Sequence, residues 1–147
     1  MELSGEYIPS SNEWVRDQVA AYEASNGQEA NVLPGTEWTV VVVTMRGTSS
    51  GAVRKIGLMR VEHDGDYGLI ASKGGAPEHP SWYFNLLAHP DEVLIQDGAV
   101  KKAYVVEEVF GSERDEWWHR GVAAYPPYEE YQANTDRIIP VLVARPR

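Results

Sequence analysis

A chain of 147 residues suits one domain around one core, with residues 1–35 forming an N-terminal helix and loop. The absence of cysteine excludes disulfides, thiolate metal sites and a cysteine nucleophile. A net charge of -9, from 22 acidic and 13 basic residues, disfavours nucleic acid and anionic membrane surfaces as partners.

The first residues, Met1 to Pro9, carry Glu2 and Glu6 and no apolar segment, unlike a signal peptide. The longest strongly apolar run, Val40 to Val43, is far below the ~20 residues that cross a bilayer. The expected location is cytoplasmic, with no integral membrane segment and peripheral membrane association left open. Ser10 and Ser11, ahead of Glu13, Trp14, Val15, Val19 and Tyr22, predict a capped amphipathic helix ending near Asn26-Gly27. Gln28 to Gly35 reads as a loop, and Thr36 to Met45, rich in Val and Thr, as a strand. After a turn at Gly47 to Gly51, Ala52 to Glu62 is a second strand. It places Arg54, Ile56, Leu58, Arg60 and Glu62 on one side and Val53, Lys55, Gly57, Met59 and Val61 on the other. Neither side is cleanly apolar, so one is a candidate wall of a site.

Asp64-Gly65 is a hairpin signal leading into a third strand, Tyr67 to Ser72. A Gly/Pro loop, Lys73 to Pro80, precedes a helix with Pro80 in its first turn that contains Trp82, Tyr83, Leu86 and Leu87. Val93 to Gln96 and Val100 to Phe110 flank the turn Asp97-Gly98. Ser112 is placed to cap a helix through Trp117, Trp118 and Val122. Tyr125 to Asn134 is a short polar-aromatic segment, and Ile138 to Ala144 a buried closing strand. The fold class is mainly β (α+β): about six mostly antiparallel strands with peripheral helices. Closure into a small barrel would remove the sheet edges. No βαβ rhythm is present, which argues against a dinucleotide-binding doubly wound fold.

Basic residues cluster locally at Arg46, Arg54, Lys55, Arg60 and Lys73, a pattern that suits either a small anionic ligand or scattered solvated charge. Ser72-Lys73-Gly74-Gly75 is both a plausible phosphate cradle and an ordinary turn. Gly47-Thr48-Ser49-Ser50-Gly51 matches Gly-x-Ser-x-Gly, but it leads into a strand where a hydrolase elbow needs a helix. Tyr125, Tyr128 and Tyr131 recur every three residues, so a helix or tight turn would bring them near one face, as a ligand wall or as a structural corner. His63, His79, His89 and His119 lack metal-helix spacing, so no metal site is expected; Trp117 and Trp118 read as packing residues, and Trp82 as either core or stacking face.

Leu58-Met59-Arg60-Val61-Glu62-His63-Asp64-Gly65, Ala71-Ser72-Lys73-Gly74-Gly75-Ala76-Pro77, His79-Pro80-Ser81-Trp82-Tyr83-Phe84-Asn85-Leu86, His89-Pro90, Tyr125-Pro126-Pro127-Tyr128-Glu129-Glu130-Tyr131-Gln132 and Thr135-Asp136-Arg137-Ile138-Ile139-Pro140 follow one another in order. Together they resemble the deazaflavin-dependent nitroreductase family of actinobacteria, over about residues 36–144. The resemblance implies a split β-barrel of the FMN-binding type and the deazaflavin coenzyme F-420, with FMN the less favoured cofactor. Its anionic tail would meet Thr48, Ser49, Ser50 and the run Arg54, Lys55, Ile56, Gly57, Leu58, Met59 and Arg60. Ile70, Ala71, Ser72 and Lys73 would hold the phosphate side and ring edge. Ser81, Trp82, Tyr83, Phe84 and Asn85 would flank the deazaflavin, and Tyr128 would reach the ring. Relatives usually read Gly-Arg-Lys-Ser-Gly where this chain has Gly47-Thr48-Ser49-Ser50-Gly51; Arg54 and Lys55 offer partial compensation.

The implied activity is hydride transfer from reduced F-420 to small hydrophobic conjugated acceptors: quinones, enones, unsaturated lactones and nitroaromatics. Ser72, Tyr128, Tyr131 and Tyr125 are the candidate catalytic residues. Two readings stand beside it, an FMN-dependent reductase of the same fold and a non-catalytic coenzyme- or lipophile-binding protein. A homodimer is plausible by family analogy.

Overall fold

Helix α1 (Glu13–Ala24) starts behind Asn12, whose side-chain oxygen accepts a hydrogen bond from the Val15 amide at 3.2 Å. The cap is therefore Asn12, and Ser10 supports it by accepting from the Asn12 amide at 3.1 Å. Asn26 and Gly27 follow the helix with φ of 53° and 77°, the left-handed exit that an Asn-Gly pair permits. The computed structural model describes residues 3–147; Met1 and Glu2, part of the segment read as unlike a leader, lie outside the described residues.

Seven strands follow: β1 (Val40–Arg46), β2 (Val53–Met59), β3 (Glu62–His63), β4 (Asp66–Ile70), β5 (Val93–Asp97), β6 (Val100–Glu108) and β7 (Val141–Pro146). Between them lie a 3-10 turn (Lys73–Gly75), α2 (Ser81–Ala88), α3 (Gly111–Ala124) and α4 (Pro127–Ala133). There are seven strands and not six because the segment expected as one strand, Ala52 to Glu62, breaks at Arg60 and Val61. Met59 pairs with Val40, whereas Glu62 pairs with Tyr67 across the Asp64-Gly65 turn. Thr36 lies outside β1, because its amide closes a turn onto Leu33. Pro80 precedes the first turn of α2 as its N-cap residue, and α3 begins behind Phe110 without a side-chain cap, so Ser112 does not play that part. Ile138 is 74% exposed, and the buried strand begins after Pro140.

The sheet order is β2-β1-β5-β6-β7-β4-β3, antiparallel throughout. Its two edge strands, β2 and β3, are consecutive in the chain and joined only by Arg60 and Val61. Seven strands laid flat would hold their edges about 29 Å apart, yet the link from Met59 to Glu62 reaches at most about 11 Å. The sheet must therefore curl until its edges meet. Asp97 of β5 fixes the curl: its carboxylate accepts from Arg60 Nε at 2.8 Å and from the Tyr67 hydroxyl at 2.6 Å, one partner beside each edge. The result is a half-barrel split at the β2/β4 seam.

The concave side holds Val41, Val43, Leu69, Ile95, Val106 and Leu142, capped by Tyr83 and Leu86 of α2. On the convex side α1 packs Val19 and Tyr22 on Val40 and Val42, while α3 and α4 pack Trp117 and Tyr128 on Ile70, Val141 and Val143. Gly68 of β4 lets Trp117 lie against the sheet, since an added Cβ would stand 2.8 Å from its ring. Gly68→Ala is therefore expected to cost ~1–3 kcal/mol through overpacking, read as a lowered urea midpoint with an unchanged m-value.

Candidate active site

The seam is not zipped by backbone pairs along its length, and it opens as two adjoining clefts that share Trp82. The larger, about 470 Å³, lies between Gly57, Leu58 and Met59 of β2 and Ile70, Ser72 and Lys73 beyond β4, with α4 on one flank and α1 on the other. The smaller, about 330 Å³, is lined by the Gly47–Ser50 turn, Arg54, Lys55, Ser81 and Asn85.

The small cleft is the polar end. The Asn85 side-chain oxygen accepts from the Thr48 amide at 3.0 Å and from its hydroxyl at 2.8 Å, tying the turn to α2. Ser50 Oγ accepts from the Ala52 amide at 3.1 Å. This is a strand-turn-strand hairpin, and Ser49 has no elbow geometry. Lys55 is committed elsewhere: its Nζ donates to both Glu23 carboxylate oxygens at 2.8 and 3.0 Å and lies 4.6 Å from the Tyr7 ring centroid. Among the described residues Arg54 carries no ion pair or hydrogen bond, so it is the cation this end leaves free for an anion.

The large cleft is the aromatic end. Pro127 opens α4, and its helical spacing brings Tyr125, Tyr128 and Tyr131 together, with ring centroids 4.9 to 6.3 Å apart. Tyr125 and Tyr131 share a hydroxyl hydrogen bond of 2.8 Å. Burial, then that bond, pushes the Tyr125 phenol up to about 12. Burial holds Tyr128 well above the usual tyrosine range, so it stays a protonated donor at neutral pH. Tyr128 and Ser72 are both buried, and among the described residues neither hydroxyl has a protein partner. Since no such buried side-chain oxygen is sealed off without a partner, both open to the cleft they line.

The loop carrying Ser72 is held in a costly conformation. Lys73, Gly74 and Gly75 take φ of 47°, 63° and 83°, the first without a glycine's freedom. Gly75 is also pressed on α4, where an added Cβ would stand 2.7 Å from the Tyr131 carbonyl oxygen. Arg137 fastens the loop from beneath, donating to the carbonyls of Ala71, Ser72 and Ala76 at 3.2, 2.6 and 2.7 Å and lying 3.0 Å from His79 Nδ1. Lys73 Nζ is ion-paired to Glu78 at 3.0 Å.

The clefts thus bring together Thr48, Ser49, Ser50, Arg54, Lys55, Ile56, Ser81, Trp82 and Asn85 at one end. Gly57, Leu58, Met59, Ile70, Ser72, Lys73 and the three tyrosines stand at the other. Four expected site residues fall outside. Arg60 is spent on Asp97, and Ala71 is wholly buried. Tyr83 turns away to donate to Glu108 at 2.5 Å, and Phe84 lies exposed against His79. Residues the sequence reading passed over are Ser10 in the polar cleft and Asn12, Trp14, Val15, Gln18 and Leu33 in the aromatic one, together with Arg137. The apolar face of the predicted α1 and the Thr135–Pro140 motif were the available signals; which wall α1 covers was not.

Fold and cleft define a split half-barrel with a ligand-sized opening along its seam. A family model for F420H(2)-dependent quinone reductase matches residues 14–146. The chain is 32% identical over 127 residues to an F420H(2)-dependent quinone reductase of Mycobacterium tuberculosis, covering 84% of each chain. Among solved structures it is similar to an F420-H2 dependent reductase (FDR-A), with 50% identity and a TM-score of 0.68, covering 72% of this chain and 93% of that one. It is also similar to a protein solved as a domain-swapped dimer, with 43% identity and a TM-score of 0.71 over 92% of this chain and 100% of that one. The chain belongs to the family of F420H(2)-dependent quinone reductases, oxidoreductases whose cofactor is coenzyme F-420.

The raised phenols set a pH limit. Tyr83, pushed up to about 12 by burial and then by the Glu108 carboxylate, and Tyr125 both exceed the ordinary value of 10.0. Their contribution to stability is complete below pH 10 and is lost as pH rises through about 12. Urea midpoints should therefore fall across this window, and Tyr83→Phe should shrink the fall. Arg137→Ala should free the Ser72–Ala76 loop, seen as faster amide exchange there, with Arg137→Lys only partly restoring protection.

Proposed function

We propose that the chain reduces hydrophobic conjugated acceptors, quinones foremost and enones, unsaturated lactones and nitroaromatics more broadly, with reduced F-420 as electron donor. The observation that carries this reading is the polarity gradient along the seam. A free cation and hydroxyls stand at one end, Trp82 in the middle, and an aromatic wall with two unpartnered hydroxyls at the other. This suits an elongated coenzyme with an anionic tail and a flat ring, and a flat acceptor beside that ring. Arg54, Ser49 and the Gly47–Gly51 backbone would hold the tail, Trp82 and the β2 wall the ring. Lys73 would lend a second cation, on loosening from Glu78.

When bound, the coenzyme supplies a hydride from its deazaflavin ring. The chain's part is placement and electrostatics. Trp82, Leu58 and Met59 exclude water around the ring, and Tyr125 and Tyr131, locked to each other, wall the acceptor. A quinone that gains a hydride gains negative charge on oxygen. The Tyr128 hydroxyl, kept protonated by burial, and the Ser72 hydroxyl, kept in place by Arg137, are the donors aimed at it. The same reading takes residues 1–147 as one domain, and the swapped dimer of the 43% identical relative makes a homodimer the assembly to test. Among the described residues no helix is long and apolar enough to cross a membrane.

Oxidation of reduced F-420 by menadione, followed by coenzyme absorbance, tests the reading. Tyr128→Phe should lower kcat about ten-fold or more with coenzyme Kd nearly unchanged, and unchanged turnover removes Tyr128 from the chemistry. Arg54→Ala should weaken coenzyme binding up to about five-fold, as one partly exposed charge contact allows, and by less at high salt. It should do so more than Lys73→Ala, because Lys73 is already paired; the opposite order would move the anionic tail to the Ser72–Gly75 loop.

A further inference from the structure

Where β6 runs into α3, a cavity of about 290 Å³ opens that shares no lining residue with either cleft. Two side chains of opposite charge line it, Glu108 at the end of β6 and Arg114 near the start of α3. They form no ion pair with each other, because each is held by something else. The Tyr83 hydroxyl donates to one Glu108 oxygen at 2.5 Å. Arg114 Nη2 donates to the Ile139 carbonyl at 2.7 Å, and its guanidinium lies 5.3 Å from the Trp118 ring centroid. Among the described residues neither charged group has a further hydrogen bond or ion pair. A carboxylate has about four lone-pair sites and a guanidinium about five N–H groups, so most of their capacity is unspent. On the rim stand Phe110 and Ile138, 70% and 74% exposed, the most exposed large apolar side chains among the described residues.

We infer that this cavity is a second ligand site, for a small zwitterion with an apolar body, an aromatic α-amino acid in its simplest form. The two separated charges set the pattern. An ammonium group meets the Glu108 carboxylate, and a carboxylate meets the Arg114 guanidinium, whose planar fork matches it. A ligand with one charge covers the opposite protein charge without pairing it, and that desolvation offsets what the single contact contributes. The apolar body covers Phe110 and Ile138 and removes their surface from water. The rings of His79, Tyr83 and Phe110 all line the cavity, which favours an aromatic body over an aliphatic one. The volume stands at the lower limit for a drug-sized ligand, so it suits a single amino acid and not a peptide. The site is independent of how the two clefts are used, since none of its residues lines either of them.

The test titrates the full-length protein with L-phenylalanine, N-acetyl-L-phenylalanine and L-phenylalaninamide, followed by NMR amide shifts. The two derivatives each lack one charge. L-Phenylalanine should bind saturably with a Kd of about 1 mM or below, and each derivative about ten-fold more weakly. The shifts should centre on residues 108–114. Glu108→Gln should weaken L-phenylalanine about ten-fold and leave the N-acetyl compound, which has no ammonium, no weaker than before. Phe110→Ala, at an exposed position that tolerates truncation if Glu108→Gln does not fold, should weaken all three compounds by a similar factor. Absence of saturable shifts up to about 10 mM L-phenylalanine overturns the inference. So does equal affinity for the three compounds, which removes the zwitterion. Shifts centred away from residues 108–114, or an affinity unchanged in both variants, removes the site.

Discussion

Two residues, Arg60 and Val61, join the two edges of the sheet, and the rest of the structure depends on how short that link is. A sheet whose first and last strands are covalent neighbours cannot lie flat, and Asp97 holds the resulting curl by bonding one side chain from beside each edge. The curl does not turn the seam into a continuous ladder. Beyond the Gly68 amide on the Val61 carbonyl, β2 and the end of β4 diverge, and the gap is walled by side chains of α1, α2 and α4. An unpaired seam in a small barrel is a built-in cleft, with backbone walls on two sides and room for a flat ligand.

The charge pattern along that cleft follows from what the neighbours consume. The chain is strongly acidic, and most of its cations near the site are neutralised within the fold: Lys55 by Glu23, Arg60 by Asp97, Arg46 by Glu92 and Lys73 by Glu78. Arg54 is what remains. Arg54 stands beside the Thr48-Ser49-Ser50 turn, half-buried and without a neutralising partner among the described residues.

At the other end the site is made rigid before any ligand arrives. Three successive left-handed residues are unfavourable by themselves, and Arg137 stabilises them by bonding three carbonyls of the loop at once. Gly75 lets α4 close on the same loop at a distance no side chain permits. Ser72 and the tyrosines of α4 are thereby fixed relative to one another. That rigidity is what their proposed role requires, since hydroxyls that stabilise developing charge act best without reorganising.

Much of this was readable from the sequence because it is local. Asn26-Gly27, Asp64-Gly65 and Asp97-Gly98 mark turns by their tolerance of positive φ, and the every-third-residue tyrosines gather once the segment is helical. The family was readable from ordered motifs spread along most of the chain. What tertiary structure alone decided is where side chains go once elements meet. Arg60 and Tyr83 sit inside site motifs yet turn to Asp97 and Glu108, because a half-buried carboxylate in reach makes a charge-assisted hydrogen bond that an open cleft does not offer. Lys55 goes to Glu23 because α1 docks over β2, and the same docking brings Trp14 and Gln18 into the site from a helix that showed only an amphipathic face. Sequence fixes which residues are neighbours along the chain; the curl of the sheet, set by a two-residue link between its edges, decides which become neighbours across it.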